Sequence, residues 1–146
     1  MKIKRATKKD FEKVSKVFLE ESCKKPYNQG WTKESALLKI KELAKNGEVY
    51  YALNEKTNEI LGFIILWTIL EPSGKEVVIK ELWVREECQR KGLGSALISF
   101  VEDKCRAEGI KNMFLLSDSS SGAFKFYNAF GFSVAPSVVI MDKNIK

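Results

Sequence analysis

The chain has 146 residues, 45% of them hydrophobic and 30% charged, with a formal net charge of +6. This is one domain's worth of ordinary globular sequence, with enough apolar material for a core. It contains no histidine, so Ser-His and Cys-His nucleophile pairs and His-ligated metal centres are excluded, and no metal site is expected. The three cysteines, Cys23, Cys88 and Cys105, form no CxxC pair; they point to neither a disulfide framework nor a zinc site and fit a reducing, cytoplasmic setting.

In chain order, residues 2–6 alternate as a short strand. Thr7 and Asp10 have the spacing of a capping box, and Phe11, Val14, Val17 and Phe18 recur at helical intervals, which predicts a helix over 8–22. Pro26 and Gly30 break it. Thr32 can cap a second helix with Leu37, Leu38, Ile40 and Leu43 on its apolar side and Gly47 just past its end. Residues 49–53, 60–70 and 77–84, separated by turns at 54–58 and 71–75, predict three strands of an antiparallel meander. The 60–70 run contains Gly62 and Thr68 and is too short to span a bilayer, and no apolar signal core follows Met1, so no membrane partner is expected. A polar loop over 85–94 leads into a helix carrying Leu97, Phe100, Val101 and Cys105 and ending near Gly109. A short buried strand at 113–116, a polar loop, a helix over 123–130 stopped by Gly131 and a last strand at 138–141 complete the reading. No repeat or linker marks a boundary, so a single domain over 1–146 is expected.

The informative segment is the loop ending Gln89-Arg90-Lys91-Gly92-Leu93-Gly94-Ser95. Glycines allow close backbone approach, and the free N–H groups of a helix start, with the helix dipole, attract an anion. Arg90 and Lys91 add full charges. A pyrophosphate suits such a site, in keeping with a net positive charge that favours an anionic partner. The lysines are spread along the chain rather than clustered, which argues against nucleic acid. A Walker loop would need Lys-Ser/Thr after the last glycine, and a dinucleotide fingerprint would need glycine where Leu97 stands. An ordinary strand-to-helix turn would also use Gly92 and Gly94.

Gln89-Arg90-Lys91-Gly92-Leu93-Gly94 resembles the Gln/Arg-x-x-Gly-x-Gly/Ala signature of the GNAT superfamily of N-acetyltransferases. Ala123-Phe124-Lys125-Phe126-Tyr127-Asn128-Ala129-Phe130-Gly131-Phe132 is similar to that superfamily's Ala-x-x-x-Tyr-x-x-x-Gly-Phe block, and the two stand in the family's order. The resemblance implies a mixed, mostly antiparallel sheet flanked by helices, an α/β fold in which two parallel strands splay apart to admit acetyl-coenzyme A. Mapped here, the splayed strands are 77–84 and 113–116. Main-chain groups of Leu82, Trp83 and Val84 then meet the pantetheine arm, with Phe124 also on the cofactor. Amides from Gln89 through Arg90, Lys91, Gly92, Leu93 and Gly94 to Ser95 hold the pyrophosphate. Where the family often has asparagine before the second block, this chain has Ser120, which keeps a hydrogen-bonding group but loses the amide; a helix cap is its alternative role.

The resemblance also implies catalytic roles. Tyr127 is placed near the sulfur, where a phenol can donate a proton to the departing thiolate; Phe124, Tyr127 and Phe130 also share a stripe that packing alone explains. Glu81, on the cofactor strand, is the candidate base for an acceptor that arrives as ammonium, or else a solvent-facing residue paired with Lys80. Cys88 is expected to be incidental, since direct transfer needs no covalent enzyme intermediate. Glu20, Glu21, Tyr27 and Trp31, around the helix break, combine carboxylates with aromatics and suit a small cationic amine of aminoglycoside or polyamine type. A protein N-terminal or lysine acetyltransferase and a non-catalytic acetyl-coenzyme A sensor are the alternatives. Family members are often dimers, so a homodimer is also an expectation of the resemblance.

Overall fold

Thr7 and Asp10 form their box: the Thr7 N–H donates to Asp10 Oδ2 at 2.9 Å. In the computed structural model, which describes residues 1–146, the box closes a 3-10 turn at Lys8–Asp10, and the α-helix begins only afterwards, as α1, Phe11–Ser22. The preceding strand is β1, Lys2–Arg5. Thr32 caps α2, Lys33–Lys45, by accepting from Ser35 N–H at 3.1 Å, while Ser35 Oγ accepts from Thr32 N–H at 2.9 Å. Serine thus replaces the usual Glu of a capping box.

Gly47 does not end α2 as a left-handed cap; Asn46, at φ −116°, is the C-cap, and Gly47 is the first residue of β2, Gly47–Asn54. The reason is space. A Cβ there would stand 2.5 Å from the Leu66 carbonyl oxygen and 2.5 Å from Trp67 Cδ1, so only glycine lets β2 pass between the end of α2 and its neighbouring strand.

The meander continues as β3, Glu59–Glu71, and β4, Gly74–Val84. A second 3-10 turn, Glu86–Cys88, lies within the polar loop before α3, Leu93–Ala107, and β5 is Met113–Leu115. The sheet order is β1-β2-β3-β4-β5, antiparallel through β4 and parallel between β4 and β5. This is the mixed, mostly antiparallel arrangement expected. The 113–116 segment is not buried, however: Phe114 is 37% and Leu116 69% exposed. Only three residues long and last in the sheet, β5 has no further strand beside it.

Cross-strand partners share a face, which sorts the core. Phe63 and Ile65 of β3 join Val14, Val17 and Phe18 of α1 and Ala36, Ile40 and Leu43 of α2 in one cluster. Ile64 and Leu66 point to the other face, where α3 contributes Leu93, Leu97, Ile98 and Val101, all buried, and where Tyr50 meets Phe100 at 4.9 Å. Burying each large side chain stabilises by about 1.5–3 kcal/mol, so α1 and α2 on one face and α3 on the other are anchored independently of any ligand. No helix is long and apolar enough to cross a membrane.

Residues 1–116 form one compact unit and 117–146 another. The second holds α4, Gly122–Phe130, capped by Ser121 Oγ accepting from Phe124 N–H at 3.1 Å and closed by Gly131. The strand expected at 138–141 does not form: Val138, Val139, Ile140 and Met141 are 69%, 76%, 72% and 89% exposed. A strand exists through its ladder partner, and this unit contains no other strand.

Candidate active site

The site is built on the last residues of β4. Its ladder with β5 runs only from Val77–Met113 to Ile79–Leu115, whereas β4 continues to Val84. Residues 80–84 therefore have β3 on one side and no strand on the other. The parallel pairing ends with β5 itself, and it leaves a free edge on the part of β4 where the resemblance implies a splay.

A β-bulge sits where the strands part. Glu81 pairs with Ile65 and Ile79 with Leu66, leaving Lys80 as the extra residue of β4. Lys80 directs its ammonium over the Trp67 ring, 4.5 Å from the centroid. Beyond the bulge, the Arg85 N–H donates to the Leu61 carbonyl at 2.9 Å. That bond makes Gly62–Val84 a non-hydrogen-bonded pair, so the main-chain groups of Val84 and, by alternation, of Leu82 turn away from β3 toward the open edge. Those of Trp83 turn toward β3. Consistent with this, the Val84 carbonyl accepts from Gln89 Nε2 at 3.0 Å.

Glu81 and Trp83 share the α1/α2 face with Ile65 and Phe63. Glu81 is not solvent-facing: its side chain is 17% exposed and lies 3.9 Å from Lys39 Nζ. The Trp83 indole N–H donates to Glu81 Oε2 at 2.7 Å. Burial pushes the Glu81 carboxyl above its ordinary value, and the Trp83 hydrogen bond with the charges of Lys39 and Lys80 pulls partly back. The Trp83 ring contacts Tyr27 edge-on at 4.9 Å and Phe18 at 5.6 Å. Trp31 packs on Phe18 at 5.2 Å and lies under Lys39 Nζ at 5.7 Å. The half-buried carboxylate, flanked by the Trp83, Tyr27 and Trp31 rings, thus faces the Lys39 ammonium at 3.9 Å.

Of the residues assigned to the acceptor, Tyr27 and Trp31 belong to this cluster. Glu20 and Glu21 are engaged elsewhere. Glu20 Oε2 accepts from Arg85 at 2.6 Å. Glu21, 5% exposed, accepts from Lys24 Nζ at 2.9 Å and from Glu86 N–H at 3.0 Å. These bonds tie the end of α1 to the start of the loop after β4. Phe18 and Lys39 were missed by the sequence reading. A signal existed for Lys39: it lies three residues after Ala36 and four before Leu43, on the buried stripe of α2, where a lysine needs a partner.

The loop after β4 has the backbone of an anion site. Arg90 and Gly92 both have left-handed φ, 62° and 83°. No side chain caps α3, its first turn holds no acid, and Gly92 would meet nothing within 4 Å if it carried a Cβ. Exposed Gln89, Arg90 and Lys91 flank the N–H groups of Leu93, Gly94 and Ser95, so the residues present fit a diphosphate. In the second unit, the Ser120 hydroxyl and N–H both donate to Asp118 Oδ1, at 2.6 and 2.9 Å, and hold that carboxyl below its ordinary value. The capping role weighed for Ser120 belongs to Ser121. Tyr127 contacts Phe126 at 5.3 Å and Phe132 at 5.6 Å, while Phe126, not Phe124, packs on Phe130, at 6.3 Å. The ring contacts therefore follow a different set from the expected stripe.

A family model described as Acetyltransferase (GNAT) family matches residues 16–132, and the chain belongs to that family of N-acetyltransferases. Solved structures share the fold. A probable acetyltransferase, 20% identical, superposes with a TM-score of 0.83 over 100% of this chain and 99% of that one. A ribosomal-protein-alanine N-acetyltransferase from Brucella melitensis biovar Abortus 2308, 16% identical, gives 0.77 over 98% and 100%. An aminoglycoside acetyltransferase from an uncultured soil metagenomic sample, solved with sisomicin and 21% identical, gives 0.74 over 99% and 96%. No curated protein matches the chain.

Proposed function

We propose that the chain transfers the acetyl group of acetyl-coenzyme A to the primary amine of a small cationic molecule of aminoglycoside or polyamine type. The observation that carries this reading is the open edge of β4 at Leu82 and Val84, beside the half-buried carboxylate of Glu81. In it, Leu82 and Val84 offer main-chain groups to the pantetheine arm, and the amides at the start of α3, with Arg90 and Lys91, hold the diphosphate. When bound, the thioester supplies an activated acetyl carbon.

Glu81 receives the proton that the acceptor ammonium must lose, directly or through water. Its raised proton affinity makes it a better base than an ordinary glutamate. Tyr127 donates to the departing sulfur, a role supported by its place in the second family block. Tyr27, Trp31, Phe18 and Trp83 supply faces for the cation. The fold alone serves small-molecule and protein acceptors equally, so the choice of a small amine rests on this aromatic–carboxylate cluster and on Phe114-Leu115-Leu116-Ser117-Asp118. That run stands where protein N-terminal acetyltransferases usually carry Leu-Glu-Val-Arg followed by Ser-Asn.

A thiol-release screen with acetyl-coenzyme A against aminoglycosides, polyamines, amino acids and peptides tests it, paired with calorimetric titration of the thioester. Turnover with small amines is the expected result. Turnover with peptides alone would reassign the acceptor, and thioester binding without turnover would make the chain a sensor. No thioester uptake would overturn the reading.

A further inference from the structure

We propose that Lys39 is itself an acetyl acceptor, so that the chain acetylates its own α2 helix at this position. The proposal rests on the reading of Glu81 as the base. If Glu81 receives the proton of the acceptor, the acceptor nitrogen must lie within direct or one-water reach of its carboxylate. Lys39 Nζ stands next to that position, 3.9 Å from Glu81 Oε1, and a small rotation of its stem closes the remaining gap to hydrogen-bond reach. It also occupies the second half of the acceptor environment, 5.7 Å over the Trp31 ring. Both contacts lie within the 1–116 unit, on the face of β4 that carries Glu81 and Trp83.

Other lysines near the site are placed differently. Lys80, next in sequence to Glu81, stands over Trp67. Lys24 is bonded to Glu21 and Glu86. Lys39 alone combines the carboxylate with the ring, and its side chain keeps 36% exposure, so it is packed yet reachable by a donor. Four flexible carbons let its nitrogen travel a few ångströms without moving α2.

The step balances with the thioester as sole co-reactant. The Lys39 ammonium passes one proton to Glu81, and the neutral nitrogen attacks the acetyl carbon. The new C–N bond forms as the C–S bond breaks, and sulfur leaves with the bonding pair. Of the two protons that nitrogen sheds, one ends on sulfur as free thiol and the other reaches solvent by way of Glu81. The product is a neutral amide, which removes the charge facing Glu81 and leaves the carboxylate to an external ammonium.

The test is peptide mapping of the full chain after incubation with isotopically labelled acetyl-coenzyme A and no added amine, over a range of protein concentrations. Lys39 is expected to gain one acetyl group at a rate independent of protein concentration. It should be labelled about a hundredfold faster than the exposed Lys41 and Lys45 of the same helix, which measure uncatalysed labelling. Glu81→Gln should abolish that advantage and leave Lys41 and Lys45 unchanged. Labelling of Lys39 at the rate of its exposed neighbours, or undiminished in Glu81→Gln, overturns the proposal. If an added amine is acetylated while Lys39 is not, the proposal fails and the acetyltransferase reading stands. If thioester binds and neither is acetylated, both fail.

Discussion

Replacing Lys39 with methionine keeps an unbranched stem and removes one charge from the side of Glu81. At 3.9 Å, two unit charges interact by about 1 kcal/mol at the dielectric constant of water and about 4 kcal/mol at an effective value near 20. The Lys39 side chain is 36% exposed, so solvent screening favours the lower figure. About 1 kcal/mol corresponds to roughly 0.7 pH unit. Lys39 lowers the Glu81 carboxyl from the raised position that burial gives it, so removing the charge moves that carboxyl further up. With Glu81 as the proposed base, the acid limb of kcat/KM should shift to higher pH by about that amount. A ¹³C titration of the Glu81 carboxyl should move with it. Stability follows the same sign. A carboxyl raised in the folded state favours folding below the ordinary value of 4.5, and the advantage is lost as pH rises through the folded value. Lys39→Met extends that window upward. A limb and a carboxyl titration that stay in place, or move down, would refute the electrostatic account of the pair.

Three further outcomes are expected. Tyr127→Phe should lower kcat by about a hundredfold while calorimetry finds thioester affinity unchanged, as befits a proton donor rather than a binding group. Gly92→Ala should cost about 1–2 kcal/mol in urea unfolding, because the position has φ 83° and open space around it, leaving backbone strain as the whole penalty; thioester affinity should fall as well. Tyr50 should ionise only at about 12 in an absorbance titration, held up by burial and by its hydrogen bond to Glu48. Its share of stability is complete below pH 10 and lost as pH rises through 12. Tyr50→Phe should therefore flatten the alkaline decline by about 2–3 kcal/mol.

The meander, both helix caps and the glycine loop were legible because each depends on residues close in sequence. Thr32 with Ser35, and Asn54 with the turn it starts, report their structure within a few positions. Where the reading failed, the deciding partner was distant or absent. Gly47 has the sequence look of a helix end, yet its role is set by Leu66 and Trp67 on another strand. Residues 138–141 have strand-like composition, but a strand cannot declare from its own residues whether a ladder exists to receive it. Glu20 and Glu21 read as acceptor ligands because their partners, Arg85 and the Glu86 amide, lie 65 positions away. The cluster around Glu81 was half visible: Tyr27 and Trp31 announce themselves by type, whereas Phe18 looks like core and Lys39 like surface.

The bulge at Lys80 is the feature that makes a site from this strand. Period-two alternation through Val77, Ile79, Glu81 and Trp83 would put all four side chains on one face, the α3 face to which Ile79 belongs through its partner Leu66. A carboxylate there would be aimed at the apolar packing of Leu93 and Leu97. The extra residue reverses the alternation, so Glu81 and Trp83 emerge on the α1/α2 face, where Tyr27, Trp31 and Lys39 are waiting. The same irregularity falls where β5 stops pairing, just after Ile79. One inserted residue therefore both aims the carboxylate and lies beside the edge at which Leu82 and Val84 become available. The carboxylate of Glu81 and the free main-chain groups of Leu82 then stand one residue apart on a strand still held by β3 along its whole length, which fixes their spacing without any loop.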